Sequence, residues 1–139
     1  MAPAEQESPL TVLVYSSNRD VRAQVVSALG RRPAADLPEI EIEQCATEAA
    51  TIRRMDGGGV SLVVLDGEAQ PGGMGMSRQL KDEIYQCPPI LLLSGRPQDA
   101  WLATWSQADG VVPRPLSPFD IARTAAELLR RRLRDAVTG

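Results

Sequence analysis

VSLVVLDGEAQPGGMGM, residues 60–76, passes from an apolar segment into an acid and then into a glycine-rich loop. Residues 62–65 are apolar without alternation, which is typical of a central parallel strand covered by helices on both faces. Asp66 follows at the carboxyl end of this strand, where open α/β sheets place their chemistry. A plainer interpretation is that Asp66-Gly67 is only a turn, whose carboxylate bonds nearby backbone amides.

Four further segments of strand length surround this one, and helical patterns separate them. In residues 39–45 charged and apolar residues alternate, which suits a strand near the edge of the sheet. The predicted strands cover residues 10–15, 39–45, 62–65, 89–93 and 110–112. The predicted helices cover residues 19–29, 47–56, 77–85, 97–108 and 118–134. Regular alternation of strand and helix predicts an α/β fold, a doubly wound parallel sheet of the (βα)5 type.

Polar side chains follow several of the predicted strands. Right-handed crossovers bring the carboxyl ends of parallel strands to one edge of the sheet. The residues expected to meet there are Ser16, Ser17, Asp66, Ser94 and Arg114. This expected convergence is the main argument for a functional site.

Length and charge bound the classes of protein. The 139 residues predict a disordered lead at 1–9, a single domain at 10–134 and a frayed end at 135–139. A net charge of -3 gives no attraction to nucleic acid or to an anionic membrane. Because there is neither a long apolar run nor a signal peptide, we expect a cytoplasmic protein.

Missing residue types exclude several kinds of enzyme. The chain has no histidine, which removes Ser-His-Asp and Cys-His triads and histidine-rich zinc sites. Cys45 and Cys87 are predicted to be free thiols, and Lys81 is the sole lysine. We therefore expect a protein that is not an enzyme and has no resident cofactor.

In their order and spacing, the segments VLVYSSNRDVR, LVVLDGEAQPGGMG, ILLLSG and VVPRPLSPFDI resemble the receiver domain of bacterial two-component response regulators. The resemblance extends from Thr11 to about Leu133. It implies a flavodoxin-like fold with strand order 2-1-3-4-5. It also implies that Asp66 stands where receivers accept a phosphoryl group from a histidine kinase, and that Ser94 supplies the hydroxyl expected after the fourth strand.

The chain departs from this family at three places. Ser16 and Ser17 replace two acids that help to hold Mg²⁺, so metal binding at Asp66 and Glu68 should be weak. Arg114 replaces a lysine and could pair with Asp66 directly. Val111 replaces an aromatic residue whose rotation accompanies phosphorylation in the family.

Two features outside the site have alternative interpretations. Trp101 and Trp105 either form an exposed surface for a protein partner or a second copy, together with Val111, or they pack on the sheet. Arg130–Arg132 and Arg134 either attract an anionic partner or complement the dipole of the last helix, and the sequence favours the dipole.

These observations favour a stand-alone atypical receiver, a protein-interaction module with a degraded phosphorylation site, in two-component signalling. One alternative is a working phosphoacceptor that a histidine kinase modifies at Asp66. Another is a flavodoxin-like protein that binds a flavin, a nucleotide or another small ligand.

Overall fold

The computed structural model describes residues 9–69, 72–95 and 100–138. These residues form five strands, β1 Leu10–Tyr15, β2 Ile40–Cys45, β3 Val60–Asp66, β4 Ile90–Ser94 and β5 Gly110–Pro113. They also form five helices, α1 Arg19–Leu29, α2 Glu48–Asp56, α3 Gly73–Glu83, α4 Ala100–Trp105 and α5 Pro118–Thr138. The predicted lead at 1–9 lies outside the described residues except for Pro9.

All five strands are parallel and lie in the order β2-β1-β3-β4-β5. This is the strand order of the flavodoxin-like fold, so the predicted architecture is confirmed. β2 lies at an edge, as its alternation of charged and apolar residues predicts. β3 lies at the centre and is buried along almost all of its length.

Side chains from alternate strand positions enter two cores, one on each face of the sheet. Val12, Val14, Leu62 and Val64 point to the core beneath α1 and α5. Their neighbours along the strands point to the core beneath α2 and α3, namely Leu13, Tyr15, Val63 and Leu65. Burial on both faces explains why β3 shows no alternation in the sequence.

Side chains cap the first turns of α1 and α2, and a glycine ends α1. The Asn18 side chain accepts hydrogen bonds from the backbone amides of Asp20 and Val21, which caps α1. Thr47 caps α2 in the same way through the amide of Ala50. Gly30 ends α1 at a φ of 59°, a conformation that glycine adopts without strain.

Several helix boundaries differ from the prediction. α3 begins at Gly73, four residues before the predicted start, and ends at Glu83, two residues before the predicted end. Gly73 lies against the end of β3. A Cβ on Gly73 would lie 2.7 Å from the backbone oxygen of Asp66. α4 ends at Trp105, before the predicted end at 108, and its predicted start at 97 lies outside the described residues. α5 continues to Thr138, beyond the predicted end at Arg134.

None of the helices in the described ranges combines the length and apolar character needed to span a membrane.

Candidate functional site

Asp66 lies at the carboxyl end of the central strand and is almost fully buried, with 2% of its surface exposed. One carboxylate oxygen, Oδ2, accepts a hydrogen bond of 2.7 Å from Ser16 Oγ. The other, Oδ1, accepts a 2.9 Å bond from the backbone amide of Glu68 and a 3.0 Å bond from Arg114 Nη2. The carboxylate is thus held by one hydroxyl, one amide and one cation.

Ser16 is fully buried between β1 and α1. Its hydroxyl accepts a 2.9 Å hydrogen bond from the amide of Asn18 and donates its proton to the Asp66 carboxylate, which can only accept. Ser16 therefore links the turn that starts α1 to the end of β3. The side chain of Ser17 is exposed.

Arg114 follows β5 and reaches across the end of β4. Its guanidinium pairs with Asp66 at 3.0 Å, and Nη1 lies 3.4 Å from the backbone oxygen of Ser94. The backbone amide of Arg114 also donates to the same Ser94 oxygen, at 3.2 Å. Arg114 therefore connects the ends of β3, β4 and β5 through one charged group.

The structure brings Ser16, Asp66, Ser94 and Arg114 together, as the topology predicts. The interpretation of Asp66 as a turn residue alone is incomplete. The Glu68 amide makes the expected turn contact, but the Ser16 and Arg114 contacts come from distant parts of the chain. Ser94 is also buried at this edge.

Arg22 is a residue of this edge that the sequence analysis did not single out. Its Nη1 donates a 2.6 Å hydrogen bond to the backbone oxygen of Ser16, and its Nε donates to Gln44 Oε1 at 3.2 Å. It positions the turn that carries Ser16. No local motif marks an arginine for this role, because its two acceptors come from β1 and β2.

Tyr15 is a second such residue. Its side chain is buried at the end of β1, one residue before Ser16. Burial raises the pKa of its hydroxyl above the usual 10.0, and the negative charges of Glu48 and Asp66 raise it further. The pKa of Tyr15 therefore depends in part on the charge of Asp66. The sequence does not indicate this, because Tyr15 lies in an apolar strand.

The family implies a Mg²⁺ ion at this edge, and the side chains fit such an ion poorly. Octahedral Mg²⁺ prefers anionic oxygens, but hydroxyls stand at Ser16 and Ser17. Both oxygens of Asp66 already accept hydrogen bonds, one of them from a cation. Across the described ranges, no cluster of three or more cysteine or acidic side chains is arranged to hold a metal ion. Weak binding at Asp66 and Glu68 stays a prediction.

Trp101 and Trp105 are exposed, at 68% and 43%. The interpretation that they pack on the sheet is therefore wrong. The guanidinium of Arg78 lies 5.0 Å from the Trp105 ring centroid, and its Nη1 donates to the Trp105 backbone oxygen. Val111, on the edge strand β5, is also exposed. We call Trp101, Trp105 and Val111 the tryptophan surface.

Comparison with known proteins identifies relatives of this chain. Two response regulatory proteins of Mycobacterium tuberculosis, both described as uncharacterized, are each 50% identical over 127 residues, which is 91% of this chain and 96% of theirs. They come from strains CDC 1551 / Oshkosh and ATCC 25618 / H37Rv. A scan against protein-family models matched none.

Solved receiver structures share the fold at low sequence identity. The chemotaxis response regulator CheY4 of Vibrio cholerae superimposes with a TM-score of 0.71 at 18% identity, covering 87% of this chain and 99% of that one. A CheY-like receiver domain protein of Methanospirillum hungatei gives 0.73 at 14% identity, covering 92% and 99%. These structures show the shared fold, and the mycobacterial relatives show that the chain belongs to the response regulator receiver family of two-component signalling.

Proposed function

We propose that this receiver works as a protein-interaction module whose phosphorylation site is degraded. The observation that carries the proposal is the Arg114–Asp66 pair at 3.0 Å. An arginine already neutralises the carboxylate that would attack a phosphoryl group. The proposal includes a cytoplasmic location and no enzymatic activity of its own.

Phosphoryl transfer to Asp66 would form a bond between a carboxylate oxygen and phosphorus while the bond to the leaving group breaks. Oδ1 already accepts hydrogen bonds from Arg114 and Glu68 and would have to lose one of them before attack, whereas the bond from Ser16 makes Oδ2 a weaker nucleophile. The phosphoryl oxygens would also need cations, and Arg114 would have to leave Asp66 to serve them. Each requirement adds to the barrier for transfer.

Regulation would then depend on contacts with other proteins. The tryptophan surface supports this, because exposed tryptophans are frequent anchors of protein interfaces. The partner would be a histidine kinase or a downstream signalling protein. A homodimer through Trp101 is a further outcome that the same surface allows.

Incubation with acetyl phosphate or beryllofluoride in the presence of Mg²⁺ tests the proposal. We expect no stoichiometric modification of Asp66 by intact mass, and no Mg²⁺-dependent shift in melting temperature. Asp66→Asn serves as the control for modification elsewhere. Stoichiometric modification that disappears in this variant would instead establish the alternative, a working phosphoacceptor.

If Asp66 is not modified in that experiment, a gain-of-function variant tests whether Ser16 and Arg114 are the cause. Ser16→Asp with Arg114→Lys introduces an acid beside Asp66 and a compact cation in place of the fork. We expect this double variant to gain Mg²⁺ binding and some acetyl phosphate reactivity. If the variant folds but stays as inert as the natural sequence, the Ser16 and Arg114 replacements are not what limits the site.

The small-ligand alternative has less support. In the described ranges, the Ser16 and Arg114 side chains at this edge both bond to Asp66, so they would have to move before a ligand could use these groups. A purified preparation that is coloured, or one stabilised by a flavin or nucleotide in a thermal shift screen, would favour that alternative over ours.

A further inference from the structure

A polar pocket of about 130 Å³ opens at the opposite end of the sheet from Asp66. It lies between the last turn of α3, the segments that precede β4 and β5, and the later part of α5. Charged side chains and one thiol dominate its lining, which includes Lys81, Cys87, Asp109, Arg131, Arg132 and Asp135.

The arginines of this pocket belong to the basic run of α5. The sequence favours the interpretation that this run complements the dipole at the end of the helix. That interpretation is wrong, because α5 continues to Thr138 and its last turn contains no basic residue. The dipole effect falls off within one turn, so it does not account for Arg131 and Arg132. Arg130 has a separate role, since it makes a two-pronged ion pair with Asp36.

The charges in the pocket do not cancel. Asp109 Oδ2 accepts from Lys81 Nζ at 2.6 Å and from the backbone amide of Ile90 at 2.8 Å, so its charge is neutralised in place. The rest of the lining then contains two cations, Arg131 and Arg132, and one acid, Asp135. With three cations and two carboxylates in the lining, the pocket carries a net positive charge.

Two of the cations are held in place. The side chain of Lys81 is only 17% exposed, and its ammonium keeps further donor positions beside the one it gives to Asp109. Arg132 Nη1 donates to the backbone oxygen of Gln86 at 3.3 Å, which fixes the guanidinium against the segment before β4. Donors that are fixed in advance lose less conformational entropy when a ligand binds.

We propose that this pocket binds a small oxyanion, a phosphate or sulfate group, through Lys81, Arg131 and Arg132. Guanidinium forks and ammonium groups are the side chains that recognise tetrahedral oxyanions. A volume of about 130 Å³ is roughly that of four water molecules in the liquid. Pockets that bind larger small molecules have volumes of about 300 Å³ or more. The pocket therefore suits the anionic group alone. This site is independent of Asp66 and of the function proposed above.

Cys87 supplies a readout inside the pocket, and Cys45 supplies an internal control at the opposite end of the sheet. Burial raises the pKa of the Cys87 thiol, Asp109 adds to the rise, and Lys81 and Arg132 oppose it. An anion held by these cations would cancel their effect and raise the pKa further. Each unit of rise lowers the thiolate fraction, and with it the alkylation rate, about tenfold.

The test measures the rate at which iodoacetamide alkylates each cysteine at fixed pH, by mass spectrometry. Sodium phosphate is added in increasing concentration, and sodium chloride of equal ionic strength serves as the control. We expect phosphate to slow modification of Cys87 saturably and severalfold, with little effect on Cys45. A parallel titration with O-phosphoserine shows whether the group binds free or as part of a larger molecule.

Variants separate specific binding from general screening. Arg132→Gln and Lys81→Gln should each abolish the protection of Cys87. Arg123→Gln changes net charge equally, and it should preserve the protection because Arg123 pairs with Asp120 at the other end of α5. Equal slowing by chloride, or full protection in a folded Arg132→Gln variant, would overturn the proposal.

Discussion

At the scale of single residues, the Arg114 pair with Asp66 determines the character of the site. Arg114 is 26% exposed and Asp66 is almost fully buried, so the carboxylate depends on its partners for compensation of its charge. Removing one partner of a buried ion pair leaves an uncompensated charge and is strongly destabilising.

We expect Arg114→Ala to lower the free energy of unfolding by about 2–4 kcal/mol, somewhat less than for a fully buried pair because Arg114 is partly solvated. Urea denaturation measures the change. Combining Arg114→Ala with Asp66→Asn should recover part of the loss, because the buried charge is removed. As a comparison, Arg123→Ala breaks an exposed pair and should change stability by less than about 0.5 kcal/mol. Similar losses in the two single arginine variants would contradict the central role of Arg114.

Tyr15 predicts a pH dependence at the same scale. Its pKa is raised in the folded state, so folding favours the protonated hydroxyl. Its contribution to stability is therefore fully present below the unfolded pKa near 10, and is lost as pH rises through the higher folded pKa. Tyr15→Phe should flatten the loss of stability above pH 10, as measured by urea denaturation at several pH values. An unchanged alkaline slope in this variant would show that other groups cause it.

At the scale of elements, the sequence predicts those whose signals are local. β1 and α1 have the predicted bounds, because the strand is an apolar run of the right length and the helical repeat begins after Asn18 and ends before Gly30. The start of α3 was not predicted, because glycine has low helix propensity and the close approach of Gly73 to the backbone of Asp66 exists only in the packed structure. The meeting of Ser16, Asp66 and Arg114 follows from topology, but their hydrogen bonds depend on side-chain geometry that the sequence does not specify.

The glycines of α3 provide a matched pair of variants. A Cβ on Gly73 would lie 2.7 Å from the backbone oxygen of Asp66, whereas a Cβ on Gly75 would meet no atom within 4 Å. We expect Gly73→Ala to destabilise the protein by about 1–3 kcal/mol through overpacking. Gly75→Ala should stabilise it by about 0.5–1 kcal/mol through helix propensity. Thermal melts followed by circular dichroism compare the two. Shifts of the same sign would show that α3 adapts to the extra methyl group at Gly73.

At the scale of the whole molecule, one sheet separates two apolar cores. The two cores unfold in a single transition only if disruption of one core also disrupts the strands that the other core packs on. Leu129 is buried in the core beneath α1 and α5, and Leu80 is buried in the core beneath α2 and α3. Their side chains share no core.

We expect Leu129→Ala and Leu80→Ala each to cost about 2–5 kcal/mol, and the double variant to lose close to the sum, because distant core sites are additive. Chemical denaturation followed by circular dichroism should still show a single transition. Two separate transitions would mean that the faces of the sheet unfold independently.

The placement of both tryptophans on α4 has a practical consequence for spectroscopy. Since their indoles already contact solvent in the native state, unfolding should change the intrinsic fluorescence spectrum little. The same emission should instead respond to anything that covers α4. In this molecule, intrinsic fluorescence is therefore a built-in probe of association and a weak probe of folding.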